Sequence, residues 1–553
     1  MSQKTKKKGG KILLLLVVIA VAIGVIIPNT KSHKYNKAQD LMEEGQYREA
    51  ESILEELEDY ENAEELLRES RYGNAKRLLS IEAFEEAIVI LEELGDYEDA
   101  QTLLLEARYG YAKQLMDYLS FKQALEILVE LGEYGDCPQL ILDCYFGMGQ
   151  EAMRDKAYKT AISYFQQAGD RPEIPALMDE AYYKHGHDLF MKGLYLEAQE
   201  ALAKVVTLPA DGYPHFLSLE ESQSYLAEQA QQLAESVKCY VAMLPQDMDD
   251  DKLWETVSNY MSFQSGGTHY DAGNKLLRVS ATYYPGQRIV YAWRTGDDSI
   301  LSADEKEAMK TAKSLVAKAK KKSKKSMDRE LYLYNWLCNH VKYDSPNMNV
   351  PTEQYLQLRQ LTCLGALLDG KANCQGYTDA FYVLGTMAGF DVCKIGGDGR
   401  GDDGLEPHSW NGIMLDGKLY IVDVTFGDAD NLGSSAKTYT WFNCAYDAKN
   451  YSIDGGAEIY PKLVSKNDVS KTYYKYKNSV FTKLSDATIH LFKQYKKNGK
   501  GWTFAMVKGK KYTNNDLKKS LRSNYAKAGV RSYSCSYMVE TYQGNTYIAI
   551  KWK

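Results

Sequence analysis

Between residues 35 and 205 the chain repeats itself every 37 residues, and this period restricts the possible fold more than any other feature. Tyr35, Tyr72, Tyr109, Phe146 and Tyr183 open successive units. Three residues further on stand Ala38, Ala75, Ala112, Gly149 and Gly186. An aromatic follows at Tyr47, Phe84, Phe121, Tyr158 and Tyr195, then an alanine at Ala50, Ala87, Ala124, Ala161 and Ala198. Small residues at fixed points let helices approach closely, and aromatics fill the space beside them. Each unit is therefore expected to be a pair of antiparallel helices. Breaks are expected near Gly45 and at Gly95-Asp96-Tyr97, with Asp59 and Asp96 as N-caps. Stacked helix pairs make a solenoid whose groove suits a protein partner or which acts as a spacer.

The stretch Gly45–Ala50 reads G-x-Y-x-x-A and resembles a tetratricopeptide array lengthened by three residues per unit. Ahead of the repeats, Lys4, Lys6, Lys7, Lys8 and Lys11 precede an apolar run from Ile12 to Ile27, relieved by Gly24 and closed by Pro28. At about 1.5 Å per residue the run spans about 24 Å, which flanking lysines extend toward a hydrocarbon core of about 30 Å. No small-x-small cleavage site follows it. The expectation is a cytoplasmic basic tail at 1–11 and a single transmembrane anchor at 12–28. The protein would then sit in the cell membrane as a single-pass chain with its bulk extracytoplasmic.

Hydrophobic residues make up 44% and charged residues 26% of the 553, the balance of folded domains rather than disorder. Nine cysteines are scattered with no C-x-x-C pair and no zinc-type cluster, so no metal or other cofactor is expected. Residues 206–324 lose the repeat and read as a connecting α/β region. Val279–Tyr284 and Arg288–Trp293 are taken as strands on either side of Pro285-Gly286, and residues 303–326 as a helix.

Three short segments carry the chemistry. Cys374 lies in Gly370-Lys-Ala-Asn-Cys-Gln-Gly-Tyr377, just ahead of an apolar-periodic helix. A cysteine at a helix start meets the positive end of the dipole and free N–H groups, which favour its thiolate. His408 opens His408-Ser-Trp-Asn411 before a strand, and Asp423 lies in the apolar run Leu419-Tyr-Ile-Val-Asp423-Val-Thr. Asp416-Gly417 between them is a hairpin signal. Adjacent antiparallel strands would bring His408 and Asp423 together, so that the imidazole bridges thiol and carboxylate.

In that order the C-x-G-Y, H-x-W-N and V-D-x-T segments resemble the transglutaminase-like branch of the papain-like cysteine enzymes, as would suit a bacterial, membrane-anchored protein. Tyr334–Asp344 resembles that family's upstream helix and its Tyr-Asp ending. The resemblance covers about 325–455 and implies an α+β catalytic domain. It implies Cys374 as nucleophile, His408 as general base and acid, and Asp423 as the orienting acid. The Cys374 N–H would be one oxyanion donor, with Trp336 a candidate for a second. It further implies attack on amide or peptide bonds of a protein or peptide substrate through a thioester, resolved by water or an amine. Asp398, Asp402 and Asp403, within 396–404, do not fit an EF-hand spacing and read as a gate beside the site.

Residues 431–553 hold 20 Lys and 2 Arg against 5 Asp and 2 Glu in a chain whose formal net charge is −8, so the part ahead of them is strongly acidic. Residues 478–553 read as a small basic α+β module suited to an anionic wall polymer. Nothing points to nucleic acid. The expected architecture is thus an α-helical solenoid, a transglutaminase-like domain and a basic tail behind one membrane helix. A non-enzymatic surface scaffold is the alternative to a cell-surface enzyme.

Overall fold

The computed structural model describes residues 30–345, 351, 354, 356–400, 404–428, 438–465 and 468–553. The chain divides into two units, Met1–Gly212 and Tyr213–Lys553. Among the described residues no helix is long and apolar enough to cross a membrane. The expected single N-terminal transmembrane helix, and the single-pass localisation drawn from it, are thus not found among these helices. Residues 12–28 themselves lie outside the described residues.

In the first unit the 37-residue period appears as alternating long and short helices. Lys31–Glu43 pairs with Tyr47–Glu55, Ala63–Ser80 with Phe84–Leu94, and Ala100–Asp117 with Phe121–Leu131. Cys137–Arg154 and Tyr158–Phe165 follow, then Ile174–Met191 and Tyr195–Leu202. The repeated alanines Ala38, Ala75 and Ala112 on the long helices are fully buried, as are Ala50, Ala87 and Ala124 on the short ones. The aromatic that starts each of the first three short helices packs on a glycine one unit ahead. A Cβ at Gly73, Gly110 or Gly147 would lie 2.4–2.5 Å from the ring of Tyr47, Phe84 or Phe121. The N-cap positions of the long helices fall at Asn62 and Asp99 rather than at Asp59 and Asp96, and neither side chain makes a capping hydrogen bond. Asp99 and its equivalent Asp136 instead accept the hydroxyls of Tyr72 and Tyr109, each at 2.5 Å.

The second unit holds three main sheets. The first, Tyr213 onward, orders its strands His215–Ser218, Ser236–Met243, Leu276–Thr282 and Ser265–Asp271. Only the first of the two expected strands around Pro285 forms. Pro285–Thr295 is a helix, with proline at its first turn and Gly296 left-handed at its end (φ 81°). Its Val, Tyr and Ile content favoured a strand, but proline preorganises a first helical turn and Gly286, Ile289 and Val290 share its buried face.

The second sheet is antiparallel and positions the site. Its strands run Phe442–Cys444, Lys418–Val422, Leu405–Leu415, Asp391–Arg400 and Tyr451–Ile453. Asp416 and Gly417 both take positive φ (50° and 77°), the two-residue turn that matches strand twist. The helix Cys374–Ala388 packs on this sheet, flanked by Ala303–Lys322 and Ser326–His340. Ser302 and Glu305 close a capping box at the start of the first flanking helix.

The third sheet, at the C-terminus, has helices Leu484–Asn498 and Asn514–Asn524 on one face around Leu491, Phe492 and Leu517. From its strands Phe504, Met506 and Tyr547 join the same core as Cys363, Phe381 and Trp410. One continuous core therefore runs from residue 219 to residue 549.

Candidate active site

Asn373, Cys374 and Gly376 begin the helix Cys374–Ala388. The Asn373 side chain caps it by accepting the Gly376 N–H at 3.1 Å. The N–H groups of Cys374 and Gln375 lie in the first turn, where a helix offers them no internal acceptor. They belong to the same turn as the half-buried Cys374 thiol.

His408 comes from the strand Leu405–Leu415, opposite Gly397 on the neighbouring strand. Asp423 stands one residue past the end of the strand Lys418–Val422. It is the N-cap of the short helix Val424–Gly427 rather than a strand residue. The cap geometry turns its carboxylate toward His408. His408 Nε2 lies 2.8 Å from Asp423 Oδ2, the imidazole being 7% exposed and the carboxylate fully buried. Tyr451 donates its hydroxyl to the same Oδ2 at 3.0 Å, and the Phe426 N–H donates to Oδ1 at 2.9 Å. The buried charge is thus hydrogen-bonded on both oxygens, the condition for a buried carboxylate to be tolerated.

With Nε2 held by Asp423, the other ring nitrogen is left for Cys374, to which His408 is hydrogen-bonded. Burial pushes the Cys374 thiol up, but the hydrogen bond and charge of His408, with the backbone and side chain of Ser409, outweigh it. The thiol is held below its ordinary value. Burial would lower the His408 imidazole, yet the Asp423 charge and hydrogen bond, with Cys374, raise it to about 10. Both shifts act in the same sense, favouring thiolate and imidazolium over the neutral thiol and imidazole.

The sequence-derived residues Cys374, His408 and Asp423 are therefore brought together. Asn411, quoted in the same motif as His408, is 1% exposed and donates to Thr378 O and Cys393 O, fastening its strand to the Cys374 helix. Trp336 stacks on His340, ring centroids 4.7 Å apart. The gate expected at 396–404 is strand up to Arg400, and Asp402 and Asp403 lie outside the described residues.

Other contributors escaped sequence reasoning. Phe426 stacks on His408 at 4.3 Å with rings 12° apart, and Trp410 stacks at 5.8 Å. Gly399 faces the imidazole so closely that a Cβ there would lie 2.6 Å from His408 Cδ2. Phe426 and Ser409 stand beside motif residues and were findable by position. Tyr451 is 28 residues from Asp423 and gave no local signal. Among the described residues no group of His, Cys, Asp and Glu could hold a metal ion.

Residues 310–424 match the family model described as Transglutaminase-like superfamily. Two curated relatives, both named Kyphoscoliosis peptidase, are 26% identical: the Mus musculus protein over 121 residues and the Homo sapiens protein over 129. These cover 20% and 21% of this chain, which spans about a fifth of each relative (18% and 19%). A solved structure described as "Crystal structure of a TGase" aligns at 15% identity over 39% of this chain and 59% of its own. Its TM-score is 0.20, at which the likeness bears no weight on the fold. From the family match and the ordered motifs, the chain carries a transglutaminase-like domain.

Proposed function

We propose that this domain is a cysteine enzyme acting on amide or peptide bonds through a thioester, with Cys374 as nucleophile, His408 as general base and acid, and Asp423 as the orienting acid. The observation that carries the reading is the placement of His408 between the Cys374 thiol and a buried Asp423, 2.8 Å from its nearer oxygen. In this reading the Cys374 thiolate adds to the substrate carbonyl and the charge on oxygen is met by N–H groups of the helix's first turn. The C–N bond breaks, the departing amine takes a proton from the His408 imidazolium, and a thioester remains. Water or a second amine then adds, giving its proton to His408, and the Cys374 thiolate leaves. Asp423 holds the imidazole orientation throughout.

The test is to incubate the full chain with casein and a fluorescent primary amine, following new peptide termini and amine incorporation together. The reading expects one of these products, lost in Cys374→Ala. Equal product from both proteins, or none from the wild type, would contradict it.

A further inference from the structure

A cavity of about 210 Å³ opens beside the proposed nucleophile. Gln375, next to Cys374, and Ser409, hydrogen-bonded to its sulfur, both line it. Its far wall is aromatic and comes from outside the family match: Trp254, Phe263 and Tyr284. Trp254 is 41% exposed and meets Phe263 edge-on, rings 6.2 Å apart.

Two of the three charges in the wall cancel. Lys394 Nζ lies 3.3 Å from Asp379 Oδ1, donates to Gln287 and is covered by the Tyr284 ring at 3.8 Å. Asp379 also accepts the N–H groups of Gly286 and Cys363. The third charge, Asp454, is half-buried, and its carboxylate has no hydrogen-bond or ion-pair partner among the described residues. Its electrostatic neighbours are Glu255 and Asp398, also acids, and burial and these charges raise its carboxyl to about 6. The loop bearing Asp454 is held in place by Asn259, which donates to Asp454 O at 2.7 Å and accepts the Gly396 N–H at 2.9 Å. The cavity is thus a rigid pocket of net negative charge with a π face, which matches the chemistry of an organic cation.

We infer that this cavity is the subsite for a cationic side chain, of lysine or arginine type, on the substrate whose carbonyl Cys374 attacks. The inference rests on the reading of Cys374 as nucleophile and adds to it the class of substrate selected. The family match supplies the thiol and the imidazole, while the 254–284 segment and Asp454, both outside that match, supply the selecting wall.

Three bromoacetamides with the same reactive group and a five-carbon tail ending in trimethylammonium, methyl or carboxylate test it on the full chain. Rates of labelling at Cys374 are divided by those at glutathione in the same solution, which removes intrinsic differences among the reagents. The trimethylammonium reagent is expected to label Cys374 about tenfold faster than the carboxylate reagent, the order expected for one favourable charge contact. Asp454→Asn and Trp254→Ala should each shrink that ratio severalfold. A ratio near one in the wild type, with fast labelling by the methyl reagent, overturns the subsite and leaves the nucleophile reading standing. Slow labelling of Cys374 by all three overturns the nucleophile reading itself. A ratio that survives both substitutions assigns the preference to another surface and overturns the cavity.

Discussion

At the scale of single residues, the site depends on groups that hold His408 as much as on the three residues that the motifs named. Gly399 is present because the imidazole needs the space of its missing Cβ. Gly399→Ala should shift the ring, and misplacing a catalytic group by about an ångström costs about 10²-fold in rate. The casein assay measures the loss, and circular dichroism checks that the fold remains. Tyr451→Phe keeps the ring that packs on Trp410 but removes one hydrogen bond to a buried carboxylate. It should cost about 1.5–3 kcal/mol in denaturant unfolding. The thiol, the imidazole and the carboxylate were legible because each sits in a short stretch whose local pattern announces it. Gly399 and Tyr451 were not, since their roles exist only once strands are paired.

At the scale of elements, the repeat was legible because one requirement, a small residue where helices touch, recurs at a fixed interval. The caps were misassigned by three residues because Asp59 and Asn62 both suit a helix start. The strand expected at Arg288–Trp293 failed because β-branched and aromatic residues also suit a buried helix face once proline has set the first turn. Gly110→Ala tests the repeat packing. A methyl 2.4 Å from the Phe84 ring must displace it, an overpacking that costs about 1–3 kcal/mol. Hydrogen exchange in Phe84–Leu94 and Ala100–Asp117 should accelerate, while the helix Cys374–Ala388 stays protected. The helix Ser326–His340 carries buried Glu330, whose carboxyl burial raises to about 8 against the pull of the Asn443 hydrogen bond. Its folded-state value lies above the ordinary 4.5, so the folded form retains the proton. Its contribution to stability is full below about 4.5 and is lost as pH rises through about 8. Glu330→Gln should therefore be more stable than the wild type at pH 8, with the gap closing as pH falls toward 4.5, as read by denaturant midpoints.

At the scale of the whole molecule, no sequence pattern announced that the 213–300 layer, the transglutaminase-like domain and the C-terminal sheet share one core. Their contacts are long-range, such as Gly286 with Asp379 and Tyr542 with Ala445. Asp379 fastens the Cys374 helix both to Gly286 and to Lys394. Asp379→Ala leaves a buried lysine without its carboxylate and should cost about 3–5 kcal/mol. Hydrogen exchange should rise together in Leu276–Thr282 and Asp391–Arg400, as expected of one cooperative unit. The central claim, an assembled thiol–imidazole–carboxylate site, is tested most directly by iodoacetamide labelling of the full chain at mildly acidic pH, read cysteine by cysteine in the wild type and in His408→Ala. Cys393 and Cys535 serve as internal controls, since both are partly exposed and burial pushes their thiols up. The account predicts that Cys374 reacts well ahead of the other eight and that His408→Ala slows it about tenfold or more. Labelling of Cys374 no faster than that of Cys535, or unchanged in His408→Ala, would contradict it.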